Sequence, residues 1–147
     1  MIKKILFPTD GSEFSKKALS HAAEMALKFE AQVLAVYVYE LPGEVADIIG
    51  AYNSTFSYLG EIENNLRQYG DKILKDTLES FKEAGVKAES LLLKGEPGTA
   101  ITDTIDTENC DLVIMGSRGM STIKSILLGS VSDYVMHHSK CPIMLIH

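Results

Sequence analysis

Leu112-Val113-Ile114-Met115-Gly116-Ser117-Arg118-Gly119, nine further residues, and then Gly129-Ser130-Val131-Ser132 decide how this chain folds. An apolar run ends in a glycine, a second glycine follows three positions later, and a third opens an amphipathic stretch. Glycine lacks a Cβ, so its backbone turns sharply and approaches a neighbour closely. The opening N–H groups of a helix have no partner inside the helix and attract anions. A strand, a glycine loop and a helix start in succession describe a cradle for phosphate, and point to a nucleotide as the ligand.

Outward from this stretch, apolar runs and helical patterns alternate. Lys4 to Phe7 reads as a β-strand that stops at Pro8-Thr9-Asp10-Gly11. Ala18/Leu19, Ala22/Ala23 and Ala26/Leu27 repeat every four residues, the face of a helix from about Ser12 to Phe29. Gln32 to Tyr39 is a buried strand. Ile62, Leu66, Tyr69, Ile73, Leu78 and Phe81 mark the inner face of a long second helix closed by Gly85. Ala88 to Leu93 is a third strand, and Pro97 opens a short third helix carrying Ala100, Ile101 and Ile105. Leu112 to Met115 is the fourth strand. Leu127, Leu128, Val131, Tyr134 and Val135 form the inner face of a fourth helix, and Pro142 to Ile146 is the last strand.

Strands that alternate with helices pair in parallel, with helices on both faces. The expected fold is therefore α/β: an open, doubly wound, five-stranded parallel sheet in the order 3-2-1-4-5, formed by residues 1–147 as one domain. In that order the winding reverses between the first and fourth strands, and ligands bind outside the carboxyl ends of the strands at such a reversal. Those ends are Pro8-Thr9-Asp10 and Met115-Gly116. The glycine motif and the topology indicate the same place by separate arguments.

The segment 40–60 is irregular. A long loop inside a compact domain is usually functional or mobile. Two readings stand: a lid over the ligand, or an insertion packed on a neighbouring helix or subunit.

Composition narrows the partners. The net charge is −6 and Arg67 and Arg118 are the only arginines, so no basic face for nucleic acid is expected. A phosphate site must then work locally, through N–H groups, Arg118 and Lys124, against a mildly repulsive overall field. No apolar run reaches the length of a membrane span. Cys110 and Cys141 make neither a disulfide framework nor a metal site, and a cytoplasmic setting with reduced thiols is expected. His21 reads as structural, and His137 and His138 suit the negative end of the fourth helix.

The chain has no Gly-x-x-x-x-Gly-Lys-Ser/Thr and no Gly-x-Gly-x-x-Gly, which sets aside P-loop enzymes and dinucleotide-binding proteins. Adenylating enzymes with a related sheet need a Ser-Gly-Gly type loop after the first strand, and Pro8-Thr9-Asp10-Gly11-Ser12 is not one. Instead the chain closely resembles the universal stress protein family over nearly its whole length. The resemblance rests on Ile5-Leu6-Phe7-Pro8-Thr9-Asp10-Gly11-Ser12, Asp111-Leu112-Val113-Ile114-Met115-Gly116-Ser117-Arg118-Gly119, Leu128-Gly129-Ser130-Val131-Ser132 and Cys141-Pro142-Ile143-Met144-Leu145-Ile146.

The family divides into members that bind ATP and members that lack the glycine motif, and this chain resembles the first branch. The resemblance implies that Asp10 bonds the ribose hydroxyls, that Pro8 and Thr9 shape the floor under the adenosine, and that Val38 offers main-chain groups to the adenine edge. It implies Met115 beside the sugar or base, and Gly116, Ser117 and Gly119 where the chain nears the phosphates. Gly129, Ser130, Val131 and Ser132 would give N–H and hydroxyl groups to those phosphates. Arg118 is either a bidentate phosphate contact or a solvated loop charge. Asp10 also suits the start of the first helix, a role compatible with ribose contact.

No paired carboxylates and no Ser/His/Asp arrangement fall at convincing positions. The expectation is a nucleotide-responsive sensor or regulator with no catalytic residue and no protein metal ligand. Mg²⁺ would be held by phosphate oxygens and water, and any hydrolysis would be slow. The alternative is an interaction module of the same fold that holds AMP or no nucleotide. The apolar last strand, an edge in the expected order, invites a homodimer, and charge at Met144 or Leu145 is expected to prevent it.

Overall fold

The computed structural model of the chain describes residues 1–43, 56–120, 125 and 127–147, with backbone alone for 56–59. Most of the irregular segment and Lys124 therefore lie outside the described residues. The strands are β1 (Lys4–Pro8), β2 (Gln32–Tyr39), β3 (Ala88–Lys94), β4 (Leu112–Gly116) and β5 (Ile143–Ile146). The described helices are α1 (Glu13–Phe29), α2 (Phe56–Glu83), α3 (Pro97–Thr107) and α4 (Ser130–His138). The strands form one sheet in the order β3-β2-β1-β4-β5, and every pairing is parallel. The expected α/β topology is the observed one.

The alternation of side chains along each central strand explains the unbroken apolar runs. Ile5, Phe7, Val33, Ala35, Leu112 and Ile114 face one side of the sheet, where Ala18, Ala22 and Ala26 of α1 and Leu74 and Phe81 of α2 cover them. Leu6, Leu34, Val36, Val113 and Met115 face the other, against Ile101 and Ile105 of α3 and Val135 of α4. Alanines four residues apart give α1 a flat face that lies close to the strands. Phe7 and Phe81, both fully buried, meet edge to face with centroids 5.2 Å apart, a geometry that aromatic quadrupoles favour.

Local chemistry sets the boundaries. Ser12 caps α1, its Oγ accepting the Ser15 N–H at 3.3 Å. Glu96 caps α3, its carboxylate accepting from Gly98 and Thr99 N–H, and Pro97 fills the first helical position. Asp111 Oδ2 accepts the N–H groups of Lys3 (2.8 Å) and Lys4 (3.0 Å), pinning the entry of β1 to that of β4. These two bonds hold its carboxyl below the usual range.

Two apolar assignments change. α4 begins at Ser130, so Leu127 and Leu128 precede the helix, and Leu127 is 77% exposed. Met144 and Leu145 are half-buried and pack against opposite faces of the sheet. A charge at either would injure the core as well as the edge, so it is a poor probe of edge pairing.

Cys110 and Cys141 are both free thiols. Burial pushes the Cys110 thiol up to about 11, which disfavours the reactive thiolate at ordinary pH. Iodoacetamide at pH 8 should therefore modify half-buried Cys141 first and Cys110 only when the protein is unfolded. Mass mapping of the alkylated peptides checks this, and equal labelling of both cysteines in the folded protein would contradict it.

Candidate functional site

A crevice of about 410 Å³ opens where β1 and β4 end. Pro8, Thr9 and Asp10 form its floor, Val36 and Val38 of β2 one flank, and Met115 and Gly116 of β4 the other. Arg118 and Gly119 follow from the glycine loop, and Gly129, Ser130, Val131 and Ser132 close it from the start of α4. Of the described residues expected from sequence, all but Ser117 line this space.

Ser117 departs because its backbone has other work. It is fully buried. Its N–H donates to Ile146 C=O and its C=O accepts from Gly129 N–H, each at 2.8 Å. Its Oγ shares a hydrogen bond with His147 Nδ1 at 3.1 Å. Ser117 thus joins β4 to β5 and to the head of α4, and does not face the crevice. Ser132 is also drawn inward: its hydroxyl donates to Gly116 C=O at 2.9 Å. That donation uses its only proton, so Ser132 offers an anion its main-chain N–H and not its hydroxyl.

The head of α4 is the part of the crevice wall whose main-chain donors suit an anion. The first bond of its ladder runs from Asp133 N–H to Gly129 C=O at 2.9 Å. The N–H groups of Ser130, Val131 and Ser132 precede that bond, and Gly129 brings no side chain to cap them. They stand at the positive end of the helix dipole beside the crevice.

Asp10 has a role the sequence hid. Its Oδ1 accepts the Ser12 N–H at 2.9 Å, and its Oδ2 accepts the Met120 N–H at 3.0 Å. Ser12, not Asp10, is the cap residue of α1. Asp10 ties the start of that helix to the glycine loop, and an ionised carboxylate still has acceptor positions for other donors. This tie explains Gly119, where a Cβ would lie 2.5 Å from Asp10 Oδ2. Gly116 is glycine for a different reason: a Cβ there would lie 2.8 Å from Phe14 Cβ and 2.9 Å from Phe14 C. One glycine admits a carboxylate and the other admits α1 against the end of β4.

The expected main-chain role of Val38 follows from register. Gln32 N–H donates to Lys3 C=O, and Thr9 N–H donates to Val36 C=O at 2.9 Å. The alternation of a parallel ladder therefore turns the N–H and C=O of Val38 toward the same edge. The ladder of β1 ends at Pro8, opposite Val36, so Val38 presents these groups to the crevice. The Arg118 guanidinium rests 4.3 Å from the centroid of the Phe14 ring, a cation–π contact at the rim.

Sequence reasoning missed several wall residues, among them Ser15, Val36 and Met120. Pro97 and Ile101 of α3 border the crevice on one face of the sheet, and Tyr37 and Tyr69 on the other. The sequence spacing puts Tyr69 on the inner face of α2, yet it is 47% exposed. Burial, with Tyr69 a smaller contributor, holds the Tyr37 phenol above its ordinary range.

The match to known proteins is extensive. The family model described as the universal stress protein family matches residues 1–147. Universal stress protein MJ0531 of Methanocaldococcus jannaschii is 33% identical over 147 residues, covering 99% of this chain and 82% of that protein. The solved structure of MJ0577 superposes with a TM-score of 0.85 at 29% identity, covering 99% of this chain and 96% of the other. A universal stress protein solved in complex with cAMP superposes with a TM-score of 0.72 at 26% identity, covering 99% and 97%.

Gly119→Ala should displace the Asp10 carboxylate from the Met120 N–H and lower stability by about 1 kcal/mol, the usual worth of such a hydrogen bond. Urea denaturation monitored by circular dichroism measures this, and an unchanged midpoint would contradict the proposed tie.

Proposed function

The chain belongs to the universal stress protein family, and from that premise we propose that it binds ATP in the β1–β4 crevice and serves as a nucleotide-responsive regulator. The observation that carries this reading is the uncapped head of α4, whose Ser130, Val131 and Ser132 N–H groups stand beside the crevice. Backbone donors at a helix start suit a polyphosphate, because they need no net positive charge in the protein. That matters in a chain of net charge −6. The same charge balance argues against nucleic acid as the partner.

The geometry supports the remaining roles in this reading. Val38 presents a donor and an acceptor to the base. Pro8 and Thr9 lie beneath the nucleoside with Met115 at its side. Asp10 accepts from the ribose hydroxyls while it holds Met120 and Ser12. Gly116 and Gly119 keep the path to α4 clear of side chains. Arg118 leaves Phe14 to meet the terminal phosphate, where its planar fork fits two oxygens.

Asp10 is the one carboxylate among the described residues of the crevice wall, and it is committed to main-chain N–H groups and the sugar. Hydrolysis needs a group that orients water at the terminal phosphate, so we propose slow turnover at most. Mg²⁺ would be held by phosphate oxygens and water. No helix among the described residues is long and apolar enough to cross a membrane, and the two free thiols accord with a cytoplasmic setting.

We also propose a homodimer through β5. Pro142 C=O and Ile146 C=O accept bonds from β4. The intervening alternation turns the main-chain groups of Ile143 and Leu145 outward, an unpaired apolar edge suited to a two-fold mate.

Protein purified without added nucleotide and then heat-denatured should release ATP in near-equal amount, read by ion-exchange chromatography. Ser130→Asp should lower ATP affinity at least tenfold by like-charge repulsion. It should leave thermal stability equal or higher, because an acidic group suits a helix start. No released nucleotide, together with no thermal shift on adding Mg·ATP, would favour an interaction module instead. For the dimer, Leu145→Pro removes an outward N–H while keeping an apolar side chain, at some cost in core packing, and the variant, once circular dichroism shows it folded, should sediment as a monomer. A folded variant that remains dimeric would refute pairing through β5.

A further inference from the structure

We propose that Tyr69 is a base-binding residue that stacks on one face of the bound nucleobase; this rests on the ATP reading above. A planar base that bonds the main chain of Val38 continues the sheet beyond the end of β1, so its two faces look toward the two helical layers. On the α3 side, Pro97 and Ile101 border the crevice. On the α2 side stands Tyr69, 47% exposed on a helix whose buried face is formed by Leu74 and Phe81.

The ring is held for this purpose by its neighbours. Tyr37 meets Tyr69 edge to face, with centroids 6.2 Å apart and planes at 71°. Tyr37 is seated against α2 at Gly70, where a Cβ would lie 2.6 Å from Tyr37 Cδ1 and 2.6 Å from Leu92 Cδ1. Gly70 therefore admits Tyr37, and Tyr37 supports Tyr69 at the crevice wall. The arrangement leaves an apolar aromatic surface at the Val38 end, away from the Ser130–Ser132 N–H groups that would take the phosphates. Aromatic side chains recognise bases by this kind of contact.

The test separates base from phosphate. Binding of Mg·ATP and of inorganic tripolyphosphate to the full chain is measured by calorimetry for the wild type, Tyr69→Ala and Tyr69→Phe. Tyr69→Ala should weaken Mg·ATP on the order of tenfold, Tyr69→Phe should match the wild type, and tripolyphosphate should bind all three alike. Equal ATP affinity in Tyr69→Ala would overturn the assignment while leaving the ATP reading intact. So would a parallel loss of ATP and tripolyphosphate, which would indicate damage to the whole site. A wild-type protein that binds tripolyphosphate but not ATP would overturn both.

Discussion

Two carbonyl groups at the end of β4 hold the molecule's working end together. Gly129 N–H donates to Ser117 C=O and Ser132 Oγ donates to Gly116 C=O. Both donors come from the start of α4, so the positive end of that helix is fixed at the mouth of the sheet. Strand order then determines what it faces. Because β1 and β4 are neighbours and the winding reverses between them, no crossover covers their carboxyl ends. The gap between the layers becomes a crevice with a donor-rich wall. If either bond were lost, the three leading N–H groups of α4 would no longer hold a fixed position, and a phosphate site built from main chain would lose its geometry.

The glycines in this region act chiefly by admitting neighbours, with a different neighbour at each position. Gly116 admits the backbone of α1, Gly119 admits the Asp10 carboxylate, and Gly98 admits the Tyr134 ring, where a Cβ would lie 2.6 Å from Tyr134 Cδ1. The first two bring α1 and the glycine loop against the end of β4. The third brings α3 against α4. A motif that reads as a bare phosphate loop is thus also a packing device.

Much of this was legible in the sequence because it depends on short-range patterns. Apolar runs covered on both faces predicted parallel strands, and the four-residue alanine repeat predicted α1. The strand order followed from the connections, and the position of the crevice followed from the order. Less legible were features that depend on direction within a turn or on partners distant in the chain. Ser117 sits in the motif beside residues that line the crevice, but its hydrogen bonds to Ile146 and His147 turn it inward, and Ser132 lines the crevice with its hydroxyl committed to Gly116 C=O. Leu127 and Leu128 fit a helical stripe by spacing, yet the helix starts after them at the Gly129 cap. Tyr69 fits the apolar repeat of α2, but the buried stripe runs through Leu74 and Phe81. Periodicity finds a stripe; the tertiary neighbours decide where it ends.

The central claim is that the main-chain N–H groups at the head of α4 hold the phosphates of ATP. Amide chemical shifts followed by ¹H–¹⁵N correlation NMR during titration with Mg·ATP test it directly. The expected result is large, saturable downfield movement of the Ser130, Val131 and Ser132 amide protons, with smaller changes at Val38 and Asp10. Saturable ATP binding that leaves those three amides in place would contradict the account.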